Sequence, residues 1–263
     1  MRSFANRTDG FSDSIFAVMS QKAAEHNAIN LSQGFPDFDG PQFIKESAKF
    51  FIDRGRNQYA PYAGVPELRA EISNVYSNWY GLDYNKDSEV TVVNGATEGI
   101  YATIQALVNP GDEVVVFEPV YDSYVSSIKL AGGIPVPVTL EGEAFEYDIS
   151  QLEKVFSHQT KLVIINSPHN PTGKVFTESE LRPIALLAAK YDCFVLSDEV
   201  YEHLVYDGKE HIPFATLDGM RDRTITISSA GKTFGLTGWK VGWCCSSSSV
   251  IDRIRKLHQY ITF

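Results

Sequence analysis

Short, continuously apolar runs punctuate the chain: VTVV (90–93), EVVVF (113–117), KLVIIN (161–166), CFVLSD (193–198) and TITIS (224–228). They do not alternate with polar residues, so they predict strands covered on both faces. Longer segments of helical period lie between them. Ile100, Ile104, Leu107 and Val108 fall on one stripe of a helix predicted to begin near Ala96, and Ile251, Ile254 and Leu257 share a face near the end. Thr177 and Glu180 have the spacing of a capping box ahead of ELRPIALLAAKY. This alternation predicts an α/β fold, a mostly parallel sheet sandwiched by helices. The first 40 residues are less regular. The Gly- and Pro-bearing stretch SQGFPDFDGP (32–41) reads as the join between an N-terminal arm (1–41) and the main body (42–263).

Composition narrows the function classes. The chain has 263 residues, enough for a substantial core, and 43% are hydrophobic, which argues against disorder. Its 33 acidic and 23 basic residues leave a net charge of −10, which makes a phosphate backbone a poor partner, so no nucleic acid is expected. No apolar run approaches the length of a membrane span, so no membrane partner is expected either. The start, MRSFANRTDGFSDSIF, has no apolar core of a secretory signal. Cys193, Cys244 and Cys245 are too few and odd in number for a disulfide framework. Together these features predict a reduced, cytoplasmic protein, in which the sequon at Asn6 carries no sugar.

In an α/β sheet, ligands collect at the carboxyl ends of the strands, so the residues after each apolar run matter most. After VTVV comes NGATEG, where small residues opening a helix let backbone amides approach an anion. A plain strand–helix turn would look the same. SPHNPTG (167–173) follows KLVIIN and holds Asn170 in a Pro- and Gly-rich turn, which taken alone also reads as structural. Asp198 closes CFVLSD with Tyr201 three residues on; an acid beside a buried strand is costly without a partner, unless it is a surface acid or a helix cap. TITIS leads into SAGKTFGLTGWK, a glycine-rich loop bearing Lys232. The GKT there is no nucleotide-binding P-loop, because that motif needs glycine where Thr226 stands. GxGxxG, GxSxG and HExxH are absent. No metal site is expected, and His203 and His211 read as surface or packing residues.

An anion cradle, an asparagine, an aspartate, a tyrosine and a lysine at successive strand ends suit one cofactor. Pyridoxal 5′-phosphate needs an amine for its aldehyde, a carboxylate for its ring nitrogen, donors for its phenolate oxygen and helix amides for its phosphate. With SQGFPDF, NQYAPYAGVPELR, NGATEG, EPVYDSY, SPHNPTG, SDEVYEHL and SSAGKTFGLTGWKVGW in order, the sequence resembles the class I and II aminotransferases of pyridoxal-phosphate fold type I. The phrasing looks like the branch of kynurenine/glutamine transaminases and bacterial methionine aminotransferase.

The resemblance implies roles residue by residue. Lys232 matches the Schiff-base lysine that also moves the α-proton, and Tyr201 is implied beside it in the catalytic set. Asp198 matches the partner of the ring nitrogen. Tyr201 and Asn170 match the donors to the phenolate oxygen, and Tyr121 the aromatic stacked over the ring. Gly95, Ala96 and Thr97 match the phosphate-binding helix start, completed by Ser229 and Lys240. Tyr59 matches a tyrosine reaching the neighbouring subunit's phosphate, which implies a homodimer. Gly34, with Asn170, lies where the family approaches the substrate carboxylate.

The implied activity moves an amino group from a methionine-, glutamine- or aromatic-type amino acid to a 2-oxo acid. A cysteine-conjugate β-lyase on the same scaffold, or a catalytically silent cofactor-binding or dimerising chain, are the alternatives. Residues 42–263 would form the large cofactor domain, and 1–41 the arm and the start of a small domain. Most of that C-terminal lobe, with the arginine that grips the substrate carboxylate, is expected to be missing. A fragment, a truncated isoform and an incompletely determined chain all fit, and transamination by this length alone is expected to be weak or absent.

Overall fold

The computed structural model describes residues 4–34, 36 and 38–262. Phe35 and Asp37 of the SQGFPDF motif, and Phe263, lie outside the described residues. In chain order the elements are α1 (Ile15–Glu25), α2 (Gln42–Asp53), α3 (Pro66–Tyr80), β1 (Val90–Val93), α4 (Gly95–Leu107), β2 (Glu113–Glu118), α5 (Asp122–Leu130) and β3 (Ile134–Thr139). They continue with α6 (Ile149–Val155), β4 (Thr160–Asn166), α7 (Glu178–Lys190), β5 (Phe194–Asp198), β6 (Thr224–Ser229), α8 (Ala230–Thr233), β7 (Gly242–Cys245) and α9 (Ser248–Thr262).

One seven-stranded sheet runs in the order β1-β7-β6-β5-β4-β2-β3. The pairs β2/β3, β2/β4, β4/β5 and β5/β6 are parallel, and β7 is antiparallel to both β1 and β6. All five apolar runs form strands. The central ones face a core on each side, which is why β2, β4 and β5 carry no polar alternation, while β6 alternates Thr and Ile with both sets buried. Val114, Val116, Leu162, Ile164, Leu196, Ile225 and Ile227 join a core with Ile100 and Ile104 of α4, Ile128 of α5 and Ile251 and Ile254 of α9. The intervening Val115, Phe117, Val163, Ile165 and Val195 face the other way, onto Leu181, Ile184 and Ala188 of α7. Side chains one residue apart thus enter opposite layers, as the pleat dictates.

The observed elements depart from the sequence pattern in several places. β3 was hidden by Pro135 and Pro137, which a strand tolerates only at an edge, where it lies. β7 (GWCC) was submerged in the glycine-rich stretch after Lys232. Only one-turn helices separate it from β6, too little for the crossover a parallel neighbour requires, so it returns antiparallel. Lys232, expected in a loop, lies in the one-turn helix α8. α4 starts at Gly95 and closes at Leu107, leaving Val108 buried but extended. In α9 the buried positions are Val250, Ile251, Ile254 and His258, while Leu257 is only partly buried. Thr177 and Glu180 do form the capping box of α7. Within the expected arm, α1 has no buried side chain, and neither does α2 just beyond it. No helix among the described residues is long and apolar enough to cross a membrane.

Candidate active site

The parallel strands β2, β4, β5 and β6 all end at one edge of the sheet, and a cleft of about 790 Å³ opens there. Eleven of the twelve residues singled out in the sequence line it: Gly34, Gly95, Ala96, Thr97, Tyr121, Asn170, Asp198, Tyr201, Ser229, Lys232 and Lys240. Tyr59 does not line the cleft; it is 86% exposed.

The floor of the cleft carries a buried carboxyl. Asp198 ends β5 at 3% exposure, so it is neither a surface acid nor a helix cap. Burial, only partly offset by the Tyr124 hydroxyl and the Val200 amide, pushes its carboxyl up to about 6. Tyr124 donates to its Oδ2 at 2.6 Å, and Val200 N–H to its Oδ1 at 3.3 Å. Tyr124 was missed in the sequence, although EPVYDSY places it one helical turn after Tyr121. The two rings meet edge to face, 5.5 Å apart. Asn166, the last residue of β4, was also missed. Its Nδ2 donates to the Asp198 carbonyl at 2.8 Å, and its Oδ1 accepts from Asn170 N–H at 2.6 Å. One amide thus fixes the turn that carries Asn170 against the end of β5.

Lys232 lines the same cleft. It is half-buried, its Nζ lies 5.5 Å from the centre of the Tyr201 ring, and it makes no ion pair among the described residues. Burial, reinforced by the charge on Lys240, holds its amine below the usual lysine range. Burial, with Asp198 and Tyr121 nearby, pushes the Tyr201 phenol up to about 12, so that hydroxyl keeps its proton at neutral pH and can donate.

An anion-shaped position completes the cleft. The first turn of α4, Gly95 to Thr97, has no side-chain cap, and its amides and helix dipole favour negative charge. Lys240 reaches the same place: a Cβ on Gly95 would lie 3.1 Å from its Cε and Nζ. A lysine beside the positive end of a helix is repulsive unless an anion sits between them. Lys240 is also held in the left-handed backbone region at φ 54, a cost of roughly 1 kcal/mol or more for a residue with a Cβ. Gly242 lets β7 pass this turn, since a Cβ there would meet Ala96 N and the Gly95 carbonyl carbon at 2.7 Å. Gly242→Ala is therefore expected to cost about 1–3 kcal/mol in denaturant unfolding and to weaken anion binding by displacing the start of α4.

Behind the cleft lies a second buried polar group. Glu199 accepts from Ser197 Oγ, the Phe214 amide and His211 Nε2; Glu202 accepts from Ser228 Oγ and the Tyr80 hydroxyl. Although Glu199, Glu202 and His211 have metal-ligand chemistry within 4.8 Å of one another, each carboxylate oxygen already has a protein donor. The His211 side chain is buried here rather than at the surface; burial opposes its charge, yet the Glu199 bond holds its imidazole above the ordinary value. His203 packs edge-on against Trp79.

Similarity to known proteins agrees with this geometry. The family model described as aminotransferase class I and II matches residues 26–263. Kynurenine–oxoglutarate transaminase of Dictyostelium discoideum is 43% identical over 98% of this chain, and methionine aminotransferase of Escherichia coli 44% identical over 95%. The chain spans 64% of the length of each. The structure of N-succinyldiaminopimelate aminotransferase from Mycobacterium tuberculosis superposes with a TM-score of 0.96 at 44% identity, covering 99% of this chain and 68% of that one. With the strand-end cleft and the family match in agreement, the chain belongs to the class I and II aminotransferases, a family of pyridoxal-phosphate enzymes.

Proposed function

We propose that this chain holds pyridoxal 5′-phosphate in the cleft and, within its whole protein, moves an amino group from an amino acid to a 2-oxo acid. The observation that carries this reading is the pairing, in one cleft, of an amine of lowered pKa with a buried carboxyl, beside an uncapped helix start that already faces a lysine.

The residues fit the cofactor. Gly95, Ala96 and Thr97, with Ser229 and Lys240, would hold its phosphate, supplying amides, hydroxyls and a cation. Asp198 would receive the ring nitrogen's proton in a hydrogen bond, and this supplies the positive partner its buried carboxylate lacks. Tyr201 and Asn170 would donate to the phenolate oxygen, and Tyr121 would cover a ring face. When bound, the cofactor supplies an electrophilic aldehyde and a ring that withdraws electrons from the substrate α-carbon. Lys232 Nζ is uncharged at lower pH than an ordinary lysine, so it would be the amine that holds the cofactor, and it would take the proton from the substrate α-carbon and return it. Tyr124 and Asn166 keep Asp198 and Asn170 oriented while this happens.

Gly34, exposed at the cleft mouth, together with Asn170 would meet the substrate carboxylate. Tyr59, exposed outside its own cleft, would reach the phosphate of a second copy in a homodimer. Residues 42–263 form the cofactor domain in this reading, and 1–41 the arm and the start of a small domain. Relatives named for methionine and kynurenine support methionine, glutamine or aromatic amino acids as donors. Three buried free thiols suit a reducing cytoplasm.

The test is product analysis. The cofactor-loaded whole protein is mixed with methionine, glutamine or phenylalanine without an acceptor. One equivalent of the matching 2-oxo acid per loaded site is expected, with further turnover only when a second 2-oxo acid is added. Pyruvate and ammonia released from a cysteine conjugate without an acceptor, and no 2-oxo acid from these donors, would overturn the reading in favour of a β-lyase.

A further inference from the structure

Glu98, the acid of the NGATEG segment, has no part in the roles above and does not line the cleft. Its side chain is only 9% exposed, yet it sits in the first turn of α4, the turn offered to the phosphate. A buried carboxylate needs fixed donors. Glu98 has two, from two different elements. The backbone N–H of Asn94, just before α4, donates to its Oε2 at 2.9 Å. His258 Nδ1, from α9, lies 2.9 Å from Oε1 and 3.1 Å from Oε2, and the His258 side chain is 6% exposed.

Asn94 offers the helix no side-chain cap, and Gly95 follows it at φ +75. This sharp turn sets the direction of the amides that open α4. The bond from Asn94 N–H to Glu98 ties the turn to the helix body, and His258 fixes the carboxylate that makes this bond. α9 is in turn anchored beside the same unit, because Arg255 donates to the carbonyls of Asp87 and Val90 at 2.8 and 2.6 Å, at the start of β1. β1 is thus held to α9 at its beginning, and the turn at its end is held to α9 through Glu98.

We propose that His258 and Glu98 are positioning residues for the cofactor phosphate: His258 orients Glu98, and Glu98 holds the Asn94–Gly95 turn so that the first amides of α4 are preorganised for the anion. This rests on the cofactor reading above. Neither residue lines the cleft. They lower the cost of ordering the phosphate's donors, and preorganisation is converted into affinity.

The test compares pyridoxal phosphate with pyridoxal, which lacks the phosphate, in absorbance titrations of the 263-residue chain. His258→Leu removes the donor and is expected to weaken pyridoxal phosphate binding by about tenfold, the usual scale for one lost hydrogen bond to a buried charge. Pyridoxal affinity should stay within about twofold, because only the phosphate contacts depend on the turn. His258→Asn, whose side-chain amide can replace the Nδ1 donor, should restore most of the loss. Glu98→Leu, which can accept neither bond, gives a second route to the same phosphate-selective loss if the His258 variant does not fold. Equal weakening of both ligands, or no weakening in any variant, would overturn the inference and leave the cofactor reading standing. An unsubstituted chain that binds pyridoxal phosphate no better than pyridoxal would overturn both.

Discussion

Replacing Lys232 with alanine is expected to leave a folded chain that binds pyridoxal phosphate only reversibly and moves no amino groups. The fold does not depend on this side chain. Lys232 lies in a one-turn helix, makes no ion pair among the described residues, and contacts the Tyr201 ring at 5.5 Å. Its amine is held below the usual range by burial and by Lys240, so its removal relieves an unfavourable charge, and the cofactor-free variant should melt no lower than the parent. In the proposed reading, function depends on the same amine twice, for covalent attachment and for moving the α-proton. Transamination in a complete enzyme carrying the substitution is expected to fall by about 10⁴–10⁶, the scale seen when a nucleophile or its base is removed. A variant with lowered stability but near-parental turnover would assign Lys232 to the structure instead.

Replacing Asp198 with asparagine is expected to stabilise the cofactor-free chain above pH 6 while crippling the loaded one. Burial lifts this carboxyl to about 6, against an ordinary value of about 3.9 in the unfolded chain. Between those two values the folded state holds more protons than the unfolded state. Stability therefore falls as pH rises through that window, and stays lower above it. The group's contribution is about 3 kcal/mol over the full window, from about 1.4 kcal/mol per pH unit. An asparagine at this position has no charge to desolvate and still accepts from Tyr124, so the variant should gain on the parent between pH 4 and 6 and keep that gain at pH 7. With pyridoxal phosphate bound the order reverses, because asparagine cannot balance a positive ring nitrogen. Turnover should drop by about 10²–10³, as for other preorganised electrostatic contacts. Denaturant unfolding at pH 4.5 and 7, with and without cofactor, measures both halves. A variant that is less stable than the parent when cofactor-free at pH 7 would contradict the assignment.

This tension between stability and chemistry explains what could be read from sequence. Asp198 and Lys232 stood out because each interrupts or follows an apolar run at the one place where a polar side chain is expensive to keep. The runs that became β1, β2, β4 and β5 were visible because burial on both faces leaves nearly continuous apolar text, and the run that became β6 because its Thr and Ile are β-branched. β3 was not visible, because an edge strand needs no such continuity and carries two prolines. β7 is four residues long and opens on a glycine, whose role becomes apparent only when Ala96 is seen packed against it.

The supporting contacts were the least legible part. Tyr124 reaches Asp198 across 74 positions, and His258 reaches Glu98 across 160. Nothing in local pattern marks which tyrosine or histidine will meet which acid. Tyr124 had a weak signal in its spacing from Tyr121; His258 had none beyond its place on the helix face that α4 covers. Tyr59 stands apart from the rest, since its proposed role lies in another copy's cleft.

In the proposed reading one amine, Lys232, receives the cofactor in the cleft floored by Asp198. The direct measurement is to load the chain with pyridoxal phosphate, reduce it with borohydride, digest it and locate the adduct by mass spectrometry. A single stoichiometric adduct on the peptide carrying Lys232, lost in Lys232→Ala, is the predicted result. An adduct confined to other lysines, or none in a chain that remains folded, would contradict it.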